Sequence, residues 1–197
     1  RKSALFIGLS LPIAAALLYF ALGNLPALSP EGAKPPKFTA QQIEEMVAKL
    51  AERMEQDPQA DPKGWVMLAR SYKAMGRYEE ATQAFGKAGK LVDEDPHLLA
   101  EHAEALALAT GGSLRGRPSE LIARALKLDP QFPDALVLAG TAAYEREDYA
   151  AAAAYWERLL KLLPPDSEDA QSLADSIKKA RAAAQKQTRK KPASGKP

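Results

Sequence analysis

The two histidines are the side chains of this sequence best suited to catalysis or metal binding. His97 and His102 stand five residues apart, whereas two zinc or haem ligands on one face of a helix favour a spacing of four. Cysteine is absent, which excludes disulfides, thiolate metal sites, cysteine nucleophiles and haem attachment to this chain through C-x-x-C-H. We therefore expect no metal site and no cofactor.

Neither the glycines nor the acidic pairs indicate a catalytic site. The sequence has no P-loop, and its glycine-rich segment 111–118 follows a predicted helix rather than a strand, which excludes a dinucleotide-binding turn. The adjacent acids at 44–45 and 79–80 are typical of solvated helix faces. No catalytic residues remain, so we expect a binding protein rather than an enzyme.

Prolines at 62, 96, 130 and 164 recur every 34 residues, the length of a tetratricopeptide (TPR) repeat. The first repeat carries the two TPR helix patterns at Trp65, Leu68, Tyr72, Ala81, Phe85 and Ala88. The same frame returns 71 residues later at Leu136, Gly140, Ala152 and Trp156. The sequence thus predicts an all-α TPR superhelical solenoid with three repeats, at 62–95, 96–132 and 133–166.

The middle repeat holds three extra residues, which fall in the loop at 111–118. Three glycines and Pro118 in this segment cannot continue a helix. We therefore expect the second helix of this repeat to begin late, near Ser119, and to be short. His102 also replaces the leucine that is usual at its position.

Flanking helices should complete a TPR domain over 40–185. Thr39 and Gln42 form a capping-box pattern before a predicted helix at 40–56, whose apolar stripe would cover repeat 1. Ser167 should cap a polar last helix at 168–185, with Leu173 and Ile177 inward. Residues 186–197 should form a disordered basic tail.

An uncharged, apolar run at 4–23 follows Arg1 and Lys2 and is long enough to span a bilayer. It predicts a transmembrane helix at 1–23 with a cytoplasmic start, so that the repeats lie across the membrane. The alternative is a signal peptide cleaved after 21–23. A proline-rich linker should follow at 24–39. The sequence does not begin with Met, so we expect further residues before Arg1.

Charge is divided unevenly along the sequence. Residues 176–197 hold eight basic groups and no acidic one, whereas the remainder has a net charge of −6. A basic segment of this kind is either solvated or attracted to an anionic lipid or nucleic acid. No aromatic residue interleaves the basic ones, so we do not expect a nucleic-acid partner.

The first helices of successive TPR repeats line the concave side, and their exposed positions predict a peptide-binding groove. The groove residues are Lys63, Met67, Arg70 and Lys73 in repeat 1, Glu101, Glu104 and Leu108 in repeat 2, and Val137, Leu138, Thr141 and Tyr144 in repeat 3, with Val66, His97 and Asp134 beside them. An apolar stripe with a basic first third and an acidic middle suits an amphipathic client helix, whose charges would face those of the groove. Asn24 is the sole asparagine, which excludes a carboxylate-clamp TPR.

Several longer motifs resemble the TPR portion of the c-type cytochrome biogenesis protein family called CcmI or CycH (CcmH C-terminal-like in some bacteria). The matching stretch runs from about 46 to 169 and includes the segments MVAKLAER at 46–53, GWVMLARSY at 64–72, GRYEEA at 76–81, AEALA at 103–107, GGS at 111–113, LKLDP at 126–130, AGTAA at 139–143 and YWERLL at 155–160. The Gly-Gly-Ser insertion together with the AGTAA and YWE motifs is the specific part of the resemblance.

The resemblance implies a factor of the bacterial inner membrane, anchored by its N-terminal helix, with its TPR domain in the periplasm. Members of this family are thought to chaperone apocytochrome c by its C-terminal helix and to deliver it to subunits of the haem lyase complex, without being the lyase. Full members often carry another membrane helix and a cytoplasmic segment before this one.

Two other functions remain open. One is a related TPR accessory factor for a nitrite-reductase haem lyase, which would differ in its client. The other is a membrane-tethered scaffold for a different envelope complex, such as a pilus or an outer-membrane assembly machine.

Overall fold

The computed structural model describes residues 38–190, and the side chains of 38–189. The transmembrane helix predicted at 1–23, the linker through residue 37 and the tail at 191–197 lie outside the described residues. Regular structure within them is wholly helical: α1 Ala40–Gln56, α2 Pro62–Ala74, α3 Tyr78–Ala88, α4 Lys90–Asp93, α5 Pro96–Ala109, α6 Arg117–Leu128, α7 Pro133–Glu145, α8 Tyr149–Leu160 and α9 Glu168–Lys190. None of these described helices is both long enough and apolar enough to cross a membrane.

The chain divides into two compact units, Arg1–Glu45 and Met46–Pro197. The described part of the first is the beginning of α1, where the predicted capping box is present. The Thr39 N–H donates to Gln42 Oε1 at 2.9 Å, and the Gln42 N–H donates to Thr39 Oγ1 at 3.2 Å. Two backbone donors at the helix start are thereby satisfied.

Helix pairing in the second unit follows the order of a TPR array. The pairs α2/α3, α5/α6 and α7/α8 pack within repeats, and α3 contacts α5, α6 contacts α7 and α8 contacts α9 between repeats. The predicted all-α TPR fold is therefore confirmed for the described residues. The four-residue helix α4 was not predicted; it begins after Gly89, whose φ of 56° few other residues adopt readily.

The core consists of the aromatic and aliphatic residues of the repeat pattern, separated by alanines that allow close helix approach. Phe85, Leu68, Leu99 and Leu136 are fully buried. In α9, Ile177 is buried and Leu173 partly buried, as predicted. These residues hold the helix pairs in register, so that the first helices of the repeats can present a common surface.

The second helix of repeat 2 begins late, as predicted, but it is not short. The helix α6 begins at Arg117, two residues before the expected start, and has 12 residues, as many as α8. Pro118 lies in its first turn, where the N–H that proline lacks has no helical partner anyway. A proline at this position favours helix initiation and does not break the helix.

The last helix also runs past its predicted end at 185, reaching Lys190. Residues 186–190 are thus helical rather than part of a disordered tail. Alanines at 182–184 followed by Gln, Lys and Arg are strong helix formers, which explains the extension. Ser167 caps this helix as predicted, since its Oγ accepts the Ala170 N–H at 3.1 Å.

Candidate peptide-binding face

The exposed side chains of α2, α5 and α7 form one surface, here called the groove face. Two ion pairs join α2 to α5: Arg70 Nε lies 2.9 Å from Glu101 Oε2, and Lys73 Nζ lies 2.6 Å from Glu104 Oε2. The helix α5 also contacts α7 directly. The first helices of the three repeats therefore lie side by side, and the predicted groove residues are brought together.

The charges of this face differ from the sequence expectation. Arg70, Lys73, Glu101 and Glu104 were expected to face the charges of a client, but they are paired with one another. The members of each pair are 31 residues apart, one on each of two neighbouring helices. Exposed pairs of this kind contribute little to stability, about 0–1 kcal/mol. Their larger effect is to neutralise the middle of the face.

Two other charged residues of the groove face, Lys63 and Asp134, take no part in these ion pairs. Lys63 makes no ion pair with another described residue and is exposed at the start of α2. Asp134 Oδ2 lies 3.8 Å from His97 Nδ1, and His97 Nε2 lies 3.6 Å from Glu101 Oε1. His97 thus sits between carboxylates of α5 and α7.

Large apolar side chains remain exposed on the same face. Met67 is 61% exposed, and Leu108, Val137 and Tyr144 are each more than two-fifths exposed. Such side chains gain free energy when a partner covers them. The groove face is accordingly an apolar surface interrupted by paired charges.

Leu138 and Thr141, the other two predicted groove residues of α7, are less exposed to a ligand. Leu138 is only partly exposed and packs against the core. The Thr141 hydroxyl donates to the Val137 carbonyl at 3.0 Å, so it is satisfied within its own helix. Neither side chain is as available to a ligand as Val137 is.

A cleft of about 660 Å³ lies between α2 and α5. Its apolar lining comes from Val66, Met67, Leu91 and Leu98, with Lys63 and Arg70 among the polar residues. This volume is within the range typical of ligand pockets, about 300–1,000 Å³. Sequence reasoning missed Leu91 and Leu98, because Leu91 belongs to the unpredicted α4 and Leu98 lies off the expected face of α5.

A smaller cleft of about 220 Å³ separates α5 from α7. It is lined by Ala100, Glu101, Glu104, Asp134, Val137 and Leu138. Glu101 and Glu104 therefore border this cleft while pairing with α2 on their other side. The ion pairs thus border both clefts: Arg70 lines the larger one, and Glu101 and Glu104 line the smaller one.

Tyr144 is held firmly although it is exposed. Its ring lies 5.0 Å from that of Tyr149 and 5.8 Å from that of Trp156, measured between centroids. Trp156 in turn packs over Gly140, where an added Cβ would lie 2.1 Å from the indole Nε1. A supported aromatic ring loses little entropy on binding, which favours it as an interface anchor.

The middle-repeat insertion is fastened beside Tyr144. The Glu145 carboxylate accepts the Leu114 N–H at 3.0 Å and the Ser113 hydroxyl at 3.2 Å, and Arg115 donates to the Glu145 carbonyl. Leu114 is buried. The insertion therefore forms an ordered connection from repeat 2 to the end of α7.

His102 lies in the core, on the far side of α5 from the groove face. It is 7% exposed, and its ring stacks on Phe85 at 5.5 Å. Burial, followed by the nearby Arg117 guanidinium, lowers the pKa of His102 to about 4. The neutral ring fills the space of the usual leucine. Among the described residues no cluster of three or more metal-binding side chains is present.

Comparison with known proteins finds a family match over residues 19–170, to the family described as Cytochrome c-type biogenesis protein H TPR domain. The cytochrome c-type biogenesis protein CycH of Pseudomonas aeruginosa is 32% identical over 183 residues, which cover 92% of this chain and 44% of that protein. CcmH of Escherichia coli is 31% identical over 124 residues, covering 61% of this chain and 35% of that protein.

A further relative carries a different name. The formate-dependent nitrite reductase complex bifunctional subunit NrfFG of Haemophilus influenzae is 28% identical over 117 residues, or 59% of this chain and 30% of that protein. In each of these comparisons the chain spans less than half of the relative.

Proposed function

This chain belongs to the cytochrome c-type biogenesis protein H TPR domain family, and from this premise we propose that it is a non-enzymatic chaperone of cytochrome c maturation. Its client is the C-terminal helix of apocytochrome c, which it presents to the haem lyase complex. It acts in the periplasm, held at the bacterial inner membrane by the N-terminal apolar segment. The family membership and the groove face support this proposal.

The observation that carries the proposal is the exposure of Met67, Leu108, Val137 and Tyr144 on one face of three adjacent helices. An amphipathic helix offers apolar side chains at spacings of three and four, which can cover several such residues at once. The clefts that the paired charges border offer room for its larger side chains.

Apolar contact should supply most of the affinity. The four groove carboxylates and cations that are paired have little net charge to offer a client, so electrostatic attraction is weak at the centre of the face. Lys63 and Asp134 lie in the first turns of α2 and α7 and can set the orientation of the client. A chaperone of this kind recognises the spacing of apolar side chains in its client more than their charge. Such recognition suits a chaperone that binds several related cytochromes.

Fluorescence anisotropy tests the proposal directly. A labelled peptide with the sequence of an apocytochrome c C-terminal helix is titrated with the chain and its variants. Tyr144→Ala and Met67→Ala should each weaken binding roughly tenfold, or about 1.4 kcal/mol. We choose Met67 rather than Leu138, because truncating the partly buried Leu138 would also disturb the core.

Leu128→Ala and Leu162→Ala are matched controls. Both leucines are exposed to a similar degree, at 49% and 41%, but neither belongs to α2, α5 or α7. They should leave the dissociation constant unchanged. Equal affinity in all four variants would contradict the groove face as the binding site.

The nitrite reductase relative supports a second candidate client. A TPR factor for a nitrite-reductase haem lyase would use the same face with another peptide. Titration with the C-terminal segment of such a reductase, beside that of a soluble apocytochrome c, separates the two. The client that binds more tightly at equal salt identifies the pathway.

A further inference from the structure

The last helix has a basic surface that the client-binding proposal leaves unexplained. Beyond Asp175 the sequence contains no acidic residue, and α9 extends through this region to Lys190. Lys178, Lys179, Lys186 and Arg189 are all exposed. They make no ion pair with another described residue, whereas Arg181 on the same helix pairs with Glu157 at 2.8 Å.

These four cations share one side of the helix. At about 100° per residue they fall within an arc of roughly 100°. The residues that α9 packs inward, Ala170, Leu173, Ile177 and Ala180, fall on the opposite side. The basic residues therefore lie on the outer side of α9, with Lys178 at its edge, where it also borders a cleft shared with Glu157 and Leu160 of α8. They form what we call the basic face.

The outer side of α9 also carries two acidic residues before the cations. Glu168, in the first turn, complements the helix dipole, whereas Asp175 lies two turns into the helix and one turn before Lys178 and Lys179. The dipole also favours cations in the last turn, but it acts within that turn alone. Lys178 and Lys179, about three turns before the end of the helix, require another explanation.

The composition of the basic face indicates the class of partner. The arc of its cations also contains Gln171, Asp175 and Ala182, with no aromatic or large aliphatic side chain. A specific protein interface would need an apolar or aromatic anchor, and single-stranded nucleic acid would need a stacking ring. A broad anionic surface requires neither, because juxtamembrane cations are attracted by the summed charge of many headgroups.

We propose that the basic face of α9 binds the headgroups of an anionic phospholipid bilayer. The contact is electrostatic and peripheral, and it does not depend on the identity of the client. It would lay the C-terminal half of α9 against a membrane, with Glu168 farthest from the contact along the helix.

Lysine labelling of the full chain in lipid nanodiscs tests this inference. The rate of acetylation of Lys178, Lys179 and Lys186 is measured by mass spectrometry in phosphatidylcholine discs with and without phosphatidylglycerol. With the anionic lipid the three rates should fall roughly fivefold, and about 0.5 M salt should restore them. Lys49, Lys127 and Lys161, exposed lysines elsewhere, should label equally in both discs.

A charge variant adds a second readout. Lys178→Gln/Lys179→Gln should remove most of the lipid-dependent protection of Lys186, while the matched Lys49→Gln/Lys127→Gln variant should retain it. The inference is overturned if the α9 lysines label equally in both discs or if the control lysines are protected as strongly. Equal protection by a single-stranded oligonucleotide at the same phosphate concentration would overturn the assignment to lipid.

Discussion

Two glycines in helices differ in their surroundings and should respond oppositely to the same substitution. A Cβ at Gly140 would lie 2.1 Å from Trp156 Nε1, whereas one at Gly86 would meet no atom within 4 Å. The rigid indole cannot move aside without losing its contact with Tyr144, and overpacking of this kind costs about 1–3 kcal/mol. Gly140→Ala should therefore lower the free energy of unfolding by about 1–2 kcal/mol.

Gly86→Ala, in α3, is the matched control for Gly140→Ala in α7. Alanine is favoured over glycine in a helix by about 0.5–1 kcal/mol, so this variant should be more stable than the parent. Urea titration measures both changes. Stabilisation by Gly140→Ala would show that Trp156 does not occupy the space above this glycine.

His102 should make stability depend on pH. Its pKa is about 4 in the folded chain and 6.5 when exposed, so between these values the unfolded chain binds the proton and the folded chain does not. The free energy of unfolding must then fall as the pH drops from 6.5 towards 4, by at most about 3 kcal/mol.

His102→Leu isolates this effect from the titration of carboxylates. Leucine fills the position without a titratable group, so the stability advantage of the variant should grow between pH 7 and pH 4.5. Chemical denaturation at several pH values measures the difference. An advantage that stays constant over this range would mean that His102 is not buried in its neutral form.

At the scale of the elements, equivalent turns in repeats 1 and 3 use different residues. Gly76 has a φ of 73° and Glu147, 71 positions later, a φ of 61°. The turns match in their hydrogen bonds, since Arg77 N–H donates to the Tyr72 carbonyl and Asp148 N–H to the Ala143 carbonyl, each at 2.9 Å. Left-handed backbone costs a residue with a Cβ about 1 kcal/mol, but costs glycine little.

Adding a glycine at one of these turns and removing the glycine from the other should change the free energy of unfolding in opposite directions. Glu147→Gly should stabilise the chain and Gly76→Ala should destabilise it, each by about 1 kcal/mol. Thermal unfolding measures both variants. Destabilisation by Glu147→Gly would contradict the left-handed conformation at this turn.

The accuracy of the sequence predictions also varied by element. Capping residues such as Thr39 and Ser167 act through neighbours three positions away, so their helix starts were predictable. The start of α6 was predicted two residues too late, because a proline has opposite effects in the first turn and in the middle of a helix. The extension of α9 was missed because a high density of lysine was interpreted as disorder.

At the scale of the whole molecule, the repeat spacing predicted which helices form the groove face but not how their charges combine. Spacing places Arg70 and Glu101 on equivalent helices. Whether their side chains meet depends on the docking of α2 against α5, which no local pattern records. The cleft lined by Leu91 was also unpredictable, since a helix of four residues leaves no periodic signal.

The central claim is that a client helix lies on the groove face. Photocrosslinking from single benzoylphenylalanine residues at positions 67, 137 and 144 of the full chain tests it most directly, with a biotin-labelled apocytochrome c C-terminal peptide. Positions 128 and 162 serve as exposed controls. We predict cross-links to the peptide from the three groove positions and none above background from the controls. Cross-links from 128 or 162 with none from 67, 137 and 144 would contradict the account.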